Sequence, residues 1–209
     1  EGTDIELSAV TGKYADKNAA RDKAVTFDGL TLTGTGAGNY VLNKTALTGT
    51  GTIAQRALTL GAVAAQTKTY DGTTAADTSK FHATLGNLVA GEENLVTATA
   101  SGATYNDKNV AAANRIDYTG VALAGADAAN YTLAATTAQG AGTIAKRALT
   151  LDVAAQSKTY DGTTAADASK FHATLGNVVS GEENSVTATA TGAAYNDKNV
   201  ATASKVTYT

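Results

Sequence analysis

The sequence predicts an all-β fold, built from tandem small β-sandwich domains of the immunoglobulin-like kind in an elongated array. Three observations predict this class: short segments that alternate apolar with polar residues, clusters of Gly, Asn and Asp between them, and an internal repeat. Alternation with period two is typical of a half-buried strand, and Gly, Asn and Asp supply turn geometry. Short strands separated by regular turns are typical of a sandwich.

The chain repeats itself with a period of about ninety residues. The segment that begins RALTLGAVAAQTKTYDGTTAAD at Arg56 returns as RALTLDVAAQSKTYDGTTAAD at Arg147, one residue shorter after Leu151. A more diverged match joins YADKNAARDK at Tyr14 to YNDKNVAAAN at Tyr105. Because the period is long and contains no finer repeat, each unit should be a small domain and not one coil of a solenoid.

The phase of these matches predicts the domain boundaries. We expect the C-terminal part of a repeat unit over residues 1–55, a complete unit over 56–146 and the N-terminal part of a third unit over 147–209. We therefore expect the chain to be a piece of a longer array. The junction GTIAKRALTL alternates apolar positions and lacks Pro, which predicts a nearly continuous strand between neighbouring units.

The strand predictions fall on NLVTATA, RIDYTGVAL, NYTLAAT and TIAKRALTL, which are rich in Thr, Val, Ile and Tyr. One segment, Ala75–Leu85, is a helix candidate, with Asp77 placed as its N-cap. Thr78, Thr84 and the following Gly limit it to two turns. If that helix packs over a mixed sheet, the alternative fold is a β-grasp-like α+β unit with one short helix.

The ten residues KTYDGTTAAD start at Lys68 and again at Lys158. We expect the Tyr ring to be buried, the Asp carboxylate to accept N–H bonds from the following Thr, and the Gly to take a positive φ. This assigns a structural turn signature to each copy: Tyr70, Asp71, Gly72, Tyr160, Asp161 and Gly162.

Few large side chains are available for a core, since aromatic residues make up 6% of the chain and Trp and Met are absent. In the complete unit the aromatic core candidates are Tyr70, Phe81, Tyr105, Tyr118 and Tyr131. Because truncating a buried aromatic typically costs about 3–5 kcal/mol, the sequence predicts that Tyr70→Ala or Tyr160→Ala unfolds its own unit.

Composition and charge exclude several classes of function. Without Cys the chain has no disulfide, thiolate nucleophile or Cys-ligated metal. The net charge is −3 and the basic residues are scattered, which argues against nucleic acid as a partner. No apolar run is long enough to span a membrane. The two histidines, His82 and His172, fall at the same phase of different repeats, so no catalytic pair is expected and the chain is not predicted to be an enzyme.

Calcium is the one cofactor that the sequence raises, and a solvated turn is the favoured interpretation. Carboxylates gather in the turns GEEN and GADAAN, but neither turn matches an EF-hand loop. The weak calcium candidates are Glu92, Glu93, Asp127, Glu182 and Glu183. Lys108 and Asn109 are also a weak candidate pair for an internal isopeptide crosslink.

The motifs KTYDGTT, YNDKNV, GADAANYTL and GTIAKRALTL, in this order, resemble the YDG-type repeats of bacterial surface proteins. Such repeats occur in filamentous-haemagglutinin-like adhesins, often exported by two-partner secretion. The resemblance implies an extracellular position on the bacterial surface and a tandem array that spaces a binding tip from the cell. It carries over no catalytic residues, only the turn signature.

Three functions stay open on the sequence. The first is a structural stalk whose partners are neighbouring repeats of the same chain. The second is a repeated module that binds host or matrix glycan or protein by avidity. The third is the subunit of an extracellular filament that assembles by strand complementation between the partial units.

Overall fold

The structure of the chain is a computed structural model that describes residues 4–8 and 10–209. Within these residues the regular elements are β-strands and four single-turn 3₁₀ helices, with no α-helix. The predicted all-β class is therefore confirmed. The immunoglobulin-like arrangement and the domain boundaries at Arg56 and Arg147 stay predictions. In the described part of the chain, no helix has the length and apolar character needed to cross a membrane.

The chain divides into two compact units. The first contains the residues up to Thr67, Thr74–Asp107 and Ala112–Thr143. The second contains Lys68–Thr73, Lys108–Ala111 and Ile144–Thr209.

The early part of the first unit carries two small antiparallel sheets. Strand β1 pairs with β4, and β2, β3 and β5 form a sheet in the order β2-β3-β5. The strands are β1 Glu6–Leu7, β2 Gly12–Tyr14, β3 Ala20–Asp28, β4 Leu32–Thr33 and β5 Ala46–Ile53.

The complete repeat contributes nine strands in three sheets. These are β6 Arg56–Val63, β7 Gln66–Thr69, β8 Ala83–Gly86, β9 Thr97–Thr99, β10 Gly102–Tyr105, β11 Arg115–Thr119, β12 Ala122–Ala124, β13 Tyr131–Leu133 and β14 Thr137–Ala145. The sheet orders are β10-β11-β14-β7, β13-β6-β8 and β12-β9. The pair β13–β6 is parallel, while β6–β8 and β9–β12 are antiparallel.

The second unit contains two antiparallel pairs that repeat part of this arrangement. Strand β15, Thr150–Val153, pairs with β16, Ala173–Gly176, and β17, Ala193–Tyr195, pairs with β18, Val206–Tyr208.

A β-bulge distinguishes β6 from its equivalent β15. Leu60 faces Leu85 and Val63 faces Ala83, so β6 holds one residue more than β8 between these pairs. The pairing of β15 with β16 is regular over all four residues. The one-residue length difference between the two RALTL segments is therefore accounted for by the bulge.

The core of the complete repeat has a cluster of apolar residues. Leu58, Val96 and Tyr131 are its buried centre. The partly buried residues around them are Leu85, Leu88, Leu123 and Leu133. Within β13, alternation places Tyr131 and Leu133 on the same face of the strand.

A second buried group joins a ring pair to a glutamine. The Phe81 and Tyr118 ring centroids are 4.7 Å apart, and the Gln66 amide donates to the Tyr118 hydroxyl at 2.6 Å. The second unit repeats this group, with Phe171 and Tyr208 at 5.0 Å and Gln156 bonded to Tyr208 at 2.6 Å. Satisfying the buried phenol is required because an unpaired hydroxyl in a core is costly.

The prediction of a helix over Ala75–Leu85 is wrong, although its N-cap at Asp77 is correct. The β-grasp alternative required that helix, so it is wrong as well. Only Thr78–Lys80 forms a 3₁₀ turn, capped by Asp77, whose carboxylate accepts from the Ser79 N–H at 2.9 Å. The segment then turns extended at Phe81 because that ring packs into the core next to Tyr118. Tertiary packing thus overrides the weak local helix preference.

The nearly continuous strand predicted through GTIAKRALTL is wrong, because that segment is the second junction and its strand is interrupted, whereas the equivalent first junction is nearly continuous. In the first, β5 ends at Ile53 and β6 begins at Arg56. In the second, β14 ends at Ala145 and β15 begins only at Thr150. The four residues between them lie outside any strand.

Truncating a buried tyrosine should lower the free energy of unfolding much more than truncating an exposed one. Tyr118→Ala removes a side chain that is 1% exposed, and we expect it to lower the free energy of unfolding by about 3–5 kcal/mol. Tyr160 is 60% exposed, so Tyr160→Ala should stay within about 0.5 kcal/mol of the parent chain. Urea unfolding followed by circular dichroism measures both, and equal losses for the two variants would contradict this assignment.

Candidate functional site: contacts between successive repeats

The Tyr-Asp-Gly turn has the same geometry in both copies. In the first, Asp71 Oδ1 accepts from the Thr73 N–H at 2.9 Å and from Lys68 Nζ at 2.7 Å, and Gly72 has a φ of 79°. These are the aspartate and glycine features that the sequence predicts. The lysine is an additional donor, which the motif KTYDGTT contains three residues before the aspartate.

The second copy reproduces these bonds closely. Asp161 Oδ1 accepts from Lys158 Nζ at 2.8 Å and from the Thr163 N–H at 2.9 Å, and Gly162 has a φ of 77°. The lysine hydrogen bond is the largest cause that lowers the pKa of each carboxyl, Asp71 and Asp161, to about 2. The turn is therefore built around an ionised carboxylate.

The tyrosine of the motif does not have the buried position that the sequence predicts. Tyr70 is half-buried, and its hydroxyl donates to Glu182 Oε1 at 2.6 Å. This bond raises the pKa of the Tyr70 hydroxyl. Tyr160 has no such acceptor among the described residues and is mostly exposed. The ring thus reaches the GEEN turn of the following repeat instead of packing into its own core.

A lysine from one repeat contacts acidic turns of the next in the first unit. Lys17 Nζ lies 2.6 Å from Glu92 Oε1 and 2.8 Å from Asp127 Oδ2. The bonds to Asp127 and then Glu92 raise the pKa of Lys17, and the lysine lowers the pKa of Glu92. We call this arrangement the lysine–glutamate contact.

The second unit contains the equivalent contact. Lys108 occupies the same position in YNDKNV as Lys17 does in YADKN, and Glu182 corresponds to Glu92. Lys108 Nζ lies 3.6 Å from Glu182 Oε1, the oxygen that also accepts from Tyr70. The same glutamate of the GEEN turn therefore meets the preceding repeat in both units.

Backbone bonds accompany the first lysine–glutamate contact. The Ala19 N–H donates to Asn130 Oδ1 at 2.8 Å, and Gln55 Nε2 donates to the Ala129 carbonyl at 2.9 Å. Lys23, one of the few buried charged residues, bonds Asp16 and the Asn18 carbonyl and so fixes the turn that carries Lys17. The lysine–glutamate contact is therefore part of a hydrogen-bond network around a turn that Lys23 fixes, and not a single surface ion pair.

The calcium candidates lie in these turns. Glu92 and Asp127 come together, but Lys17 occupies the space between them. Glu93 and Glu183 instead accept from the N–H groups of Gly91 and Gly181 in their own turns. Glu182 bonds Tyr70, as described above. Among the described residues, no group of three or more His, Asp or Glu is arranged to hold a metal ion.

The remaining residues singled out from the sequence do not form a site. His82 and His172 are exposed, and Lys108 pairs with Glu182, so the structure does not join it to Asn109. The role of Lys17 is not among the predictions from the sequence. The signal was present, because the letters DKN occur in all three copies, at Lys17, Lys108 and Lys198.

The fold and these contacts define an all-β tandem-repeat protein whose repeats meet through a shared carboxylate. The YDG domain family model matches residues 1–48, 54–138 and 145–209. The chain therefore belongs to the YDG domain family. No curated protein and no solved structure matches the chain at a significant level.

The turn carboxylates predict an acid-sensitive contribution to stability. Since the folded pKa of Asp71, about 2, lies below the ordinary value of 3.8, its contribution is present above pH 3.8 and is lost as the pH falls toward 2. We expect Asp71→Asn to lower the melting temperature at pH 7 and to match the parent chain near pH 2. Calorimetry between these values measures the difference.

The matched control is Asp152→Asn, because the Asp152 side chain has no hydrogen-bond partner among the described residues. That variant should follow the parent curve throughout. A constant offset of Asp71→Asn at every pH would contradict the role of the ionised carboxylate.

Proposed function

We propose that the chain is a set of structural spacer repeats of a bacterial extracellular adhesin, which extend a binding tip from the cell surface. The observation that carries this proposal is the recurrence of the lysine–glutamate contact at the same phase in both units. Glu92 receives Lys17, and Glu182 receives Lys108 and Tyr70. A contact that every repeat makes with the one before it is what a spacer needs to keep its length.

The contact between repeats restricts their relative angle more than it adds to the free energy that holds them together. An ion pair at the surface contributes little to stability because solvent screens it, so Lys17–Glu92 alone does not hold two repeats together. The network adds a backbone N–H bond from Ala19 and the buried lysine that fixes the loop. Several directional bonds around one carboxylate restrict the angle between repeats more than a single charge pair does.

The surface location is supported by the resemblance of the motifs to adhesin repeats and by composition. A chain without Cys stays free of disulfides during export, which suits secretion in an unfolded state. The hydrogen bonds of the turns support a structural role. Their carboxylates bind lysine and backbone N–H groups.

Distance measurement within the first unit tests the spacer. The chain has no native Cys, so spin labels on a Lys44→Cys, His82→Cys variant report only the distance between two exposed positions in successive repeats. We expect a single narrow distance distribution that widens when Lys17→Met is added, because that change removes both ion pairs.

The matched control is Lys198→Met, since Lys198 is the equivalent lysine of the third copy and is exposed. It should leave the distribution unchanged. A broad distribution in the parent chain would mean a flexible linker and would remove the spacer proposal.

The surface location has its own test. Antibodies against the chain should label intact bacteria that carry the parent gene as strongly as permeabilised ones. Labelling that appears only after permeabilisation would contradict an extracellular adhesin.

A further inference from the structure

The dipeptide Asp-Gly occurs three times in the chain, at Asp28–Gly29, Asp71–Gly72 and Asp161–Gly162. The glycine has a positive φ in each copy, 75°, 79° and 77° in chain order. Because glycine has no side chain, its backbone nitrogen is less shielded than that of other residues. Three sites with the same two residues and the same glycine conformation therefore differ only in what surrounds them.

The carboxylates of the two KTYDGTT turns are held by several bonds. Asp71 Oδ1 accepts from Lys68 Nζ at 2.7 Å, from the Thr73 N–H at 2.9 Å and from Thr73 Oγ1 at 3.0 Å. Asp161 makes the same three bonds with its own lysine and threonine. Bonds of this kind favour the charged form of a carboxyl. Both carboxylates are therefore kept ionised and in one orientation.

The carboxylate of Asp28 is not held in this way. Asp28 is the last residue of β3 and is exposed. Its side chain makes no hydrogen bond or ion pair with any residue that the structure describes. Beyond its chain neighbours, no atom lies within 4 Å of the place that a Cβ on Gly29 would take, and the same is true of Gly162. The freedom of the carboxylate, and not that of the glycine, therefore distinguishes Asp28 from Asp161.

The exposed position of Asp28 is a property of the repeat. Its equivalents in the complete repeat are Thr119 and Gly120, and both are exposed although the chain continues on either side of that repeat. The next residue is bonded alike in both copies. The Leu30 N–H donates to the Thr45 carbonyl at 3.0 Å, as the Val121 N–H does to the Thr136 carbonyl at 3.0 Å.

We propose that Asp28 is a site of spontaneous isomerisation to isoaspartate, and that the bonds of the KTYDGTT turns protect Asp71 and Asp161 from the same reaction. The Gly29 nitrogen attacks Cγ of Asp28 and forms a C–N bond. A C–O bond of the carboxyl breaks, and its hydroxyl leaves with the amide proton as water. Water then adds to one of the two carbonyls of the cyclic imide and breaks a C–N bond, which gives aspartate or isoaspartate.

The state of the carboxyl decides the rate of the first step. A hydroxyl leaves from a protonated carboxyl, whereas an ionised carboxylate is a poor electrophile. At Asp71 the lysine and threonine bonds have to break, and a proton has to be added, before the ring can close. At Asp28 no such bond opposes protonation or rotation of the side chain. The fold therefore selects one of three identical dipeptides for the reaction.

Isoaspartate at this position would disturb the core of the first repeat. The reaction inserts the β-carbon of Asp28 into the main chain, so the path from β3 to Leu30 becomes one atom longer. Leu30 is 6% exposed, and its N–H bond to Thr45 continues the pairing of β3 with β5. Moving a buried side chain from its packed position destabilises a small core. An isomerised chain should therefore have a less stable first repeat.

Peptide mapping of the whole folded chain, incubated in mildly acidic buffer made with heavy-oxygen water, tests the site. Trypsin places the three dipeptides in separate peptides, 24–44, 69–80 and 159–170. Electron-transfer fragmentation distinguishes isoaspartate from aspartate. We expect isoaspartate with one heavy oxygen atom in peptide 24–44. Conversion at Asp71 and Asp161 should be at least about tenfold slower, because charge-assisted bonds have to break first.

Two controls separate the effect of the fold from that of the dipeptide. In urea, where the turns are lost, the three sites should convert at similar rates. In the folded chain, Lys68→Met should raise conversion at Asp71 and leave Asp161 unchanged, since Asp161 keeps its own lysine.

Asp28→Thr links the modification to stability, because it installs the residue that the complete repeat has at this position. We expect the melting temperature of the parent chain to fall with incubation time and that of Asp28→Thr to stay constant.

Either of two results overturns the inference. One is an absence of isoaspartate at Asp28 in the folded chain after long incubation. The other is equal conversion at all three sites in the folded chain, which would mean that the held carboxylates give no protection. The inference goes beyond the spacer proposal and uses none of the lysine–glutamate contacts, so the two proposals fail separately.

Discussion

The glutamate of the GEEN turn is the point on which the arrangement of repeats depends. A carboxylate has two oxygens that accept from several directions, and in Glu92 one oxygen takes the lysine of the preceding repeat while the other takes Tyr131 of its own. Packing within a repeat and contact between repeats therefore share one side chain. Because charge-assisted bonds are stronger than neutral ones, the turn holds its position although it lies at the surface.

The stability of each repeat is limited by the small size of its core. Ala and Gly leave little apolar area, so a repeat relies on a few rings and on the bonds that satisfy their hydroxyls, as Gln66 does for Tyr118. Small domains bury a low fraction of their surface and have little stability in reserve. Each repeat therefore depends on those few rings and on the bonds that satisfy them.

Local chemistry was predictable from the sequence, and long-range contacts were not. The Asp71 and Gly72 roles follow from three adjacent letters, and the burial of Phe81, Tyr105, Tyr118 and Tyr131 follows from the scarcity of other large side chains in the repeat. Tyr70 was assigned to the core because nothing near it reveals its acceptor, which lies 112 residues further along the chain. The helix expected after Asp77 failed for a related reason, since the packing of Phe81 decides the backbone there.

The β-bulge in β6 has a consequence for how copies of this domain diverge. A strand reverses the faces of its side chains when a single residue is inserted, and such a change normally destroys a core. In β6 the extra residue is confined to the bulge between Leu60 and Val63, and both RALTL segments keep the same facing partners before it. Copies of the repeat that differ by one residue at this place therefore keep the same strand partners on both sides of it, so the added residue leaves the rest of the pairing unchanged.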